Sequence, residues 1–263
     1  MSNEQLVQCH KDGGVAVLTL ADPPANTYSF EMMKALDGHV LDLRMDPEIH
    51  VIVLTGAGEK FFCAGANIEM LQAADPTWKY YFCLHANETL SRLEQTPKLV
   101  IAALNGHTVG GGLEVAMACD IRIGKRSGGK VGLPEVKLGV LPGTGGTQRL
   151  ARAVGKAKAI EMMAHGDNFS FEDAVELGLV HRLFEAEGFM DQVMEYARSF
   201  CTPEKAAMAV GHIKRAVQTG TEVPLEYGLA FERELQAKLF ASADAREGIA
   251  SYNEKRAPKF EGR

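Results

Sequence analysis

Apolar positions along this chain follow two rhythms. "GVAVLTLAD" (14–22) and "HVIVLTGAG" (50–58) are short runs of apolar and β-branched residues that end at turn-forming residues, and they read as buried strands. Between them, "SFEMMKALDGHVLDLRMD" (29–46) has the spacing of an amphipathic helix. "KLVIAALNG" (98–106) and "CDIRIG" (119–124) predict further strands, and the apolar run 131–141 is broken by Pro134 and Pro142. Strands alternating with helices predict an α/β sheet with crossover helices. From about Gly145 the texture becomes helical, with Ala, Leu, Glu, Lys and Met at helical spacing and one strand-like stretch, "GLVHRLF" (178–184). "PPANTY" (23–28) and "SGG" (127–129) mark turns. No linker, internal repeat or low-complexity segment separates the parts, so they are expected to pack as one unit.

At 263 residues, 46% of them hydrophobic, the chain can bury a large core. The formal charge of −6 argues against a nucleic-acid or anionic-membrane partner, which calls for a basic face. The five cysteines (Cys9, Cys63, Cys83, Cys119 and Cys201) are odd in number, scattered and free of CxxC pairs, so neither a disulfide framework nor a zinc site is expected. "MSNEQLVQCHKDGG" lacks the basic and apolar regions of a signal peptide, no stretch has the length of a membrane span, and Glu261-Gly262-Arg263 is not a peroxisomal signal. A cytoplasmic protein is the expectation. Eight histidines without HxxxH or HExxH pairing give no metal site, and His107 is expected to pack or hydrogen-bond.

Three stretches carry candidate chemistry. In "GHTVGGGLEVAMACD", Gly110, Gly111 and Gly112 stand between a strand and a helix start. Glycines there let a ligand reach the unpaired first amides of the helix, or they simply allow tight packing. Glu114 follows in an otherwise uncharged run, and a buried carboxylate needs a partner, a raised pKa or a task. "VGLPEVKLGVLPGTGGTQRL" (131–150) is a second glycine-rich turn, with Glu135 after Pro134. Two carboxylates converging on one cleft divide acid and base roles; the plainer reading of Glu135 is a solvated turn residue paired with Lys137. In "EKFFCAGANIEML" (59–71), the extended chain turns at Gly65 into a helix with Asn67 near its start, so the amide of Ala66 faces either a ligand or an ordinary loop. Trp78, Tyr80, Tyr81 and Phe82 line an acyl pocket or belong to the core, and Met162 and Met163 read as core.

Taken in order, these stretches resemble the crotonase superfamily of acyl-CoA-processing enzymes, and within it the enoyl-CoA hydratases. The likeness runs through "PPANTYS", "VIVLTGAGEKFFCAGANI", "IAALNGHTVGGGLEVAMACDIRI", "GLPEVKLGVLPGTGGTQRLARAVGKAKAIEMM", "AVELGLVHRLF" and "YNEKRAPKF". It implies an α/β fold: a crotonase-like repeated ββα spiral core over residues 1–200 carrying the acyl-CoA site, and a helical C-terminal trimerisation region over 201–263. It further implies a homotrimer or homohexamer.

By the same resemblance, the amides of Ala66 and Gly111 form an oxyanion hole for the thioester carbonyl. Glu114 acts as the base on a water and Glu135 as the acid toward the α-carbon, with the Gly143 amide placing that water. Ala25, Ala64, Asn67, Ile68 and Lys255 are implied as CoA and substrate contacts. After Ala66 the chain departs from the family pattern: Asn67, Ile68 and Glu69 replace the common acidic residue, aliphatic residue and lysine, which leaves Lys255 as the basic contact for CoA. The implied activity is reversible addition of water to the 2,3 double bond of an enoyl-CoA, with no metal or cofactor beyond the CoA of the substrate. Double-bond isomerisation or hydrolysis in the same fold, and a non-catalytic member that binds RNA or a protein, are the alternatives.

Overall fold

The computed structural model describes residues 6–263. A hairpin opens it, β1 (Val7–Asp12) and β2 (Val15–Leu20), followed by helix α1 (Phe30–Met45). Next, β3 (Val51–Gly56) and β4 (Phe61–Cys63) lead into α2 (Ile68–Ala73) and α3 (Pro76–Gln95), and β5 (Leu99–Leu104) and β6 (His107–Val109) lead into α4 (Gly111–Met117). A third pair, β7 (Ile121–Lys125) and β8 (Lys130–Gly132), leads into a 3-10 turn at Glu135–Leu138 and then α5 (Gly146–Val154) and α6 (Lys156–His165). The chain continues through β9 (Asn168–Ser170), α7 (Phe171–Glu176), β10 (Arg182–Phe184) and α8 (Phe189–Arg198). It ends in α9 (Ala207–Gly220), α10 (Leu225–Phe240) and α11 (Ala243–Glu254).

The pairs β3/β4, β5/β6 and β7/β8 are each split between two sheets. The larger sheet has the order β1-β2-β3-β5-β7-β10 and the smaller β4-β6-β8-β9. Apart from the β1/β2 hairpin and the antiparallel β8/β9 pair, neighbouring strands run parallel. Each of these three turns thus adds one strand to each sheet before a helical segment carries the chain back. The repeat lies in the geometry and leaves no matching period in the sequence.

The apolar runs are continuous because the larger sheet is covered on both faces. Ile52 and Leu54 of β3 join the core beneath α1 and α3, whereas Val51 and Val53 face Phe189, Val193 and Ala197 of α8. Strand β1, which the hydrophobic pattern does not reveal, is an edge strand with only Val7 buried. It is placed by register, Val7 opposite Leu20, and by a two-residue turn in which Gly13 and Gly14 both have positive φ. The C-terminal helices differ from the core: Leu225, Tyr227, Phe240 and Tyr252 are 67–85% exposed.

Candidate active site

A cavity of about 380 Å³ lies where α4, the Leu141–Thr144 turn, the Ala64–Ala66 loop and the start of α3 meet. Ala64, Ala66, Ile68, Gly111, Glu114, Glu135 and Gly143 all line it, so residues far apart in sequence share one wall. Around this cavity Ile68, Leu138, Val140 and Leu141 are each more than half exposed. Large apolar side chains gathered at the wall of a cleft with a few polar groups are the signature of a ligand site.

Close backbone approach builds the two candidate amide donors. Gly65 and Gly111 lie so near one another that a Cβ on Gly65 would stand 3.1 Å from the Gly111 nitrogen. A Cβ on Gly112 would stand 2.0 Å from the Cys63 carbonyl oxygen, so only glycine allows α4 to start against β4. Among the described residues, neither the Ala66 nor the Gly111 amide donates to a backbone carbonyl in the loops and turns. Gly111 is the first residue of α4, where the helix itself supplies no acceptor.

The carboxylates are held differently. Glu114 is buried in the first turn of α4, and its Oε1 accepts from the amides of Thr144 and Gly146, both at 2.7 Å. Burial raises its pKa above the ordinary carboxylate value, while the Gly146 and Thr144 amides, the Thr144 side chain and the Lys79 charge pull it back. Glu135 sits on the 3-10 turn with a buried Oε2 that has no hydrogen-bond partner. Burial, with a smaller contribution from the Glu114 charge, pushes its pKa up to about 7. Lys137 turns instead toward Asp167, at 3.9 Å, so it does not neutralise Glu135.

Other predicted contacts lie outside this wall. Ala25 stands behind it, its carbonyl accepting from the Ala64 amide at 3.0 Å. The Asn67 side-chain Oδ1 caps α2, accepting from the Met70 amide at 2.9 Å. Lys255 is exposed at the C-terminal end of α11 and does not line the cavity. Of the aromatic cluster, Phe82 is core, Trp78 stacks on it, and Tyr80 and Tyr81 point to solvent; the cavity takes Pro76 and Lys79 from the same helix instead. His107 packs on Phe61, and its Nδ1 accepts from the Lys130 amide at 3.2 Å. Tyr28 and Thr144 line the cavity without having been singled out, although both fall within stretches already marked, "PPANTYS" and "PGTGG".

The sequence pattern of the enoyl-CoA hydratase/isomerase family matches residues 10–263. The chain belongs to that family. It is 38% identical to the short-chain-enoyl-CoA hydratase of Clostridium acetobutylicum, over 96% of this chain and 95% of the relative. To the (E)-benzylidenesuccinyl-CoA hydratase of Thauera aromatica it is 37% identical, over 94% and 96%. An enoyl-CoA hydratase structure from Geobacillus kaustophilus superposes with a TM-score of 0.96 at 44% identity, covering 98% of this chain and 97% of that one. The fold is therefore the crotonase-like α/β spiral, and among its described residues no helix is long and apolar enough to cross a membrane.

Proposed function

We propose that this family member is an enoyl-CoA hydratase, which adds water reversibly across the 2,3 double bond of an enoyl-CoA to give a 3-hydroxyacyl-CoA. The observation that supports this most is the pair of carboxylates that share one cavity in contrasting hydrogen-bond surroundings. Glu114 is supplied with donors that favour its ionised form, and Glu135 is held in a pocket that favours its proton.

The thioester oxygen takes the Ala66 and Gly111 amides, and the apolar rim of Ile68, Leu138, Val140 and Leu141 takes the acyl chain. Water, placed by the Gly143 amide, attacks C3 and gives its proton to Glu114. The double-bond electrons move onto the thioester oxygen as an enolate, stabilised by the two amides, a contribution typically on the order of a hundredfold or more per donor. Glu135 then protonates C2 and the thioester carbonyl reforms. Nothing in this sequence needs a metal or a redox cofactor, because the bound thioester already makes C3 electrophilic. We assign Lys255 to the phosphates of CoA, and the cytoplasm as the location, consistent with five free cysteines.

The exposed apolar residues of α9, α10 and α11 support self-association as a homotrimer or homohexamer. Light scattering that returns a monomer mass at micromolar concentration counts against it. Incubation with crotonyl-CoA, following loss of the enoyl absorbance, tests the activity. Hydration across a panel of acyl chain lengths is expected; absence of turnover on all of them overturns the reading.

A further inference from the structure

Tyr28 connects parts of the cavity that the sequence keeps far apart. Its backbone is zipped to the Ala66 loop: the Tyr28 amide donates to the Gly65 carbonyl at 2.9 Å, and the Asn67 amide donates to the Tyr28 carbonyl at 3.0 Å. Its side chain is buried and runs beneath Gly111, where an added Cβ would lie 2.3 Å from the tyrosine oxygen. The hydroxyl then reaches Thr144 Oγ1 at 3.0 Å. Thr144 in turn gives its backbone amide to Glu114 Oε1 at 2.7 Å.

With its hydroxyl on Thr144 Oγ1, Tyr28 tethers the residue whose amide meets the Glu114 carboxylate. Without that bond the turn carrying the amide loses a fixed point beside Glu114, and the amide is aimed less well. We propose that Tyr28 is a positioning residue, which by holding the Thr144 side chain aims the Thr144 amide at Glu114 and, through Ala66 and Gly111, holds the base and the amide donors in one frame. This rests on the hydratase reading for its kinetic consequences, but the positioning of the Thr144 amide does not.

The ionisable groups that act on this network are few. Lys79 reaches Glu114 from α3, Glu135 from the 3-10 turn, and Cys63 and Cys83 act on Tyr28. Tyr28 itself stays neutral, its pKa driven well above the ordinary value by burial and then by the Glu114 charge.

The test is Tyr28→Phe, Thr144→Val and their combination, compared with wild type on crotonyl-CoA. Tyr28→Phe should lower kcat about tenfold with KM little changed, and move the acid limb of the kcat profile to higher pH by about one unit, because the Thr144 amide that stabilises the ionised carboxylate is held less firmly. Thr144→Val should move the limb the same way, and the double variant should be no worse than Thr144→Val alone. A purely structural tyrosine lowers Tm and leaves the limb in place; an unmoved limb, or losses that multiply, overturns the proposal. Should Tyr28→Phe not fold, the limb in Thr144→Val decides alone. Infrared titration of the carboxyl band in the free protein, assigned with Glu114→Gln, reads the same shift without turnover. An inactive wild type therefore defeats the hydratase reading, while an unshifted band defeats only the role of Tyr28.

Discussion

The two glutamates of this cavity have opposite surroundings. Glu114 is the more deeply buried, yet it is supplied with two backbone amides at 2.7 Å, so its charge has somewhere to go. Glu135 is less buried, but its Oε2 has no partner and its pKa is pushed up to about 7. Burial raises the pKa of both groups; at Glu114 the donors aimed at it oppose that rise, and at Glu135 the partnerless Oε2 receives no such help. The same fold holds a donor-supplied carboxylate and a donor-poor one side by side because a helix start and the Gly143–Gly146 turn converge on one residue and pass by the other.

Replacing Glu114 by Gln is the most severe way to break the contrast. The side chain keeps its size, but a neutral carboxamide replaces the carboxylate and cannot accept a proton from water, and the Thr144 and Gly146 amides lose a carboxylate acceptor. Loss of kcat by roughly a hundredfold to ten-thousandfold with little change in KM is the expected result on crotonyl-CoA. Near wild-type hydration would make Glu114 a structural carboxylate only.

Glu135→Gln attacks the other side. Hydration should fall by at least about a hundredfold. Exchange of the α-proton, followed by deuterium incorporation, should be suppressed more by this variant than by Glu114→Gln, since Glu135 is the group assigned to C2. The double variant should lose far less than the product of the single losses, because the two residues serve one step. Multiplicative losses would mean that they do not act on a common water.

The position of each glutamate was readable in the sequence, but the reason for the contrast was not. Glu114 stands out as a lone charge in "GGGLEVAMACD", and Glu135 as a carboxylate beside a proline at a glycine-rich turn. The donors to Glu114 come from 30 and 32 residues away, a separation that only the tertiary fold closes. The buried strands β3 and β5 were legible because both of their faces are covered and the apolar run is unbroken. Strand β1 was not, because an edge strand with one buried residue reads as a polar terminus. Tyr28 was similarly hidden: it lies in a turn motif that announces backbone geometry, and its hydroxyl acquires meaning only where it meets Thr144.

A smaller effect concerns stability. The Glu135 pKa is raised from 4.5 to about 7 in the folded chain. Below about pH 4.5 both folded and unfolded forms hold the proton; between there and pH 7 the unfolded chain releases it first, and the folded state loses relative stability. Glutamine has no such proton to hold. Glu135→Gln should therefore stabilise the protein relative to wild type at pH 8 more than at pH 4.5, by ~1–3 kcal/mol in denaturant titrations. An equal difference at both pH values would mean that Glu135 is ordinarily ionised and that its acid role is wrong.

The finest distinction comes from Lys79, which lines the cavity and favours the ionised form of Glu114 more weakly than do the hydrogen bonds from Gly146 and Thr144. Its charge acts across the cavity, with no hydrogen bond to Glu114 among the described residues, so its influence is Coulombic and open to screening. Lys79→Met should move the acid limb of the kcat profile to higher pH, because removing a nearby positive charge makes the carboxylate easier to protonate. The displacement should be smaller than that of Tyr28→Phe, since a screened charge is lost rather than the aim of a directed donor. Added salt offers an independent check: raising ionic strength should shift the wild-type limb in the same direction and leave that of Lys79→Met nearly fixed. A limb that responds to salt equally in both proteins would assign the effect to other charges, and the ionised state of Glu114 would then rest on the Thr144 and Gly146 donors alone.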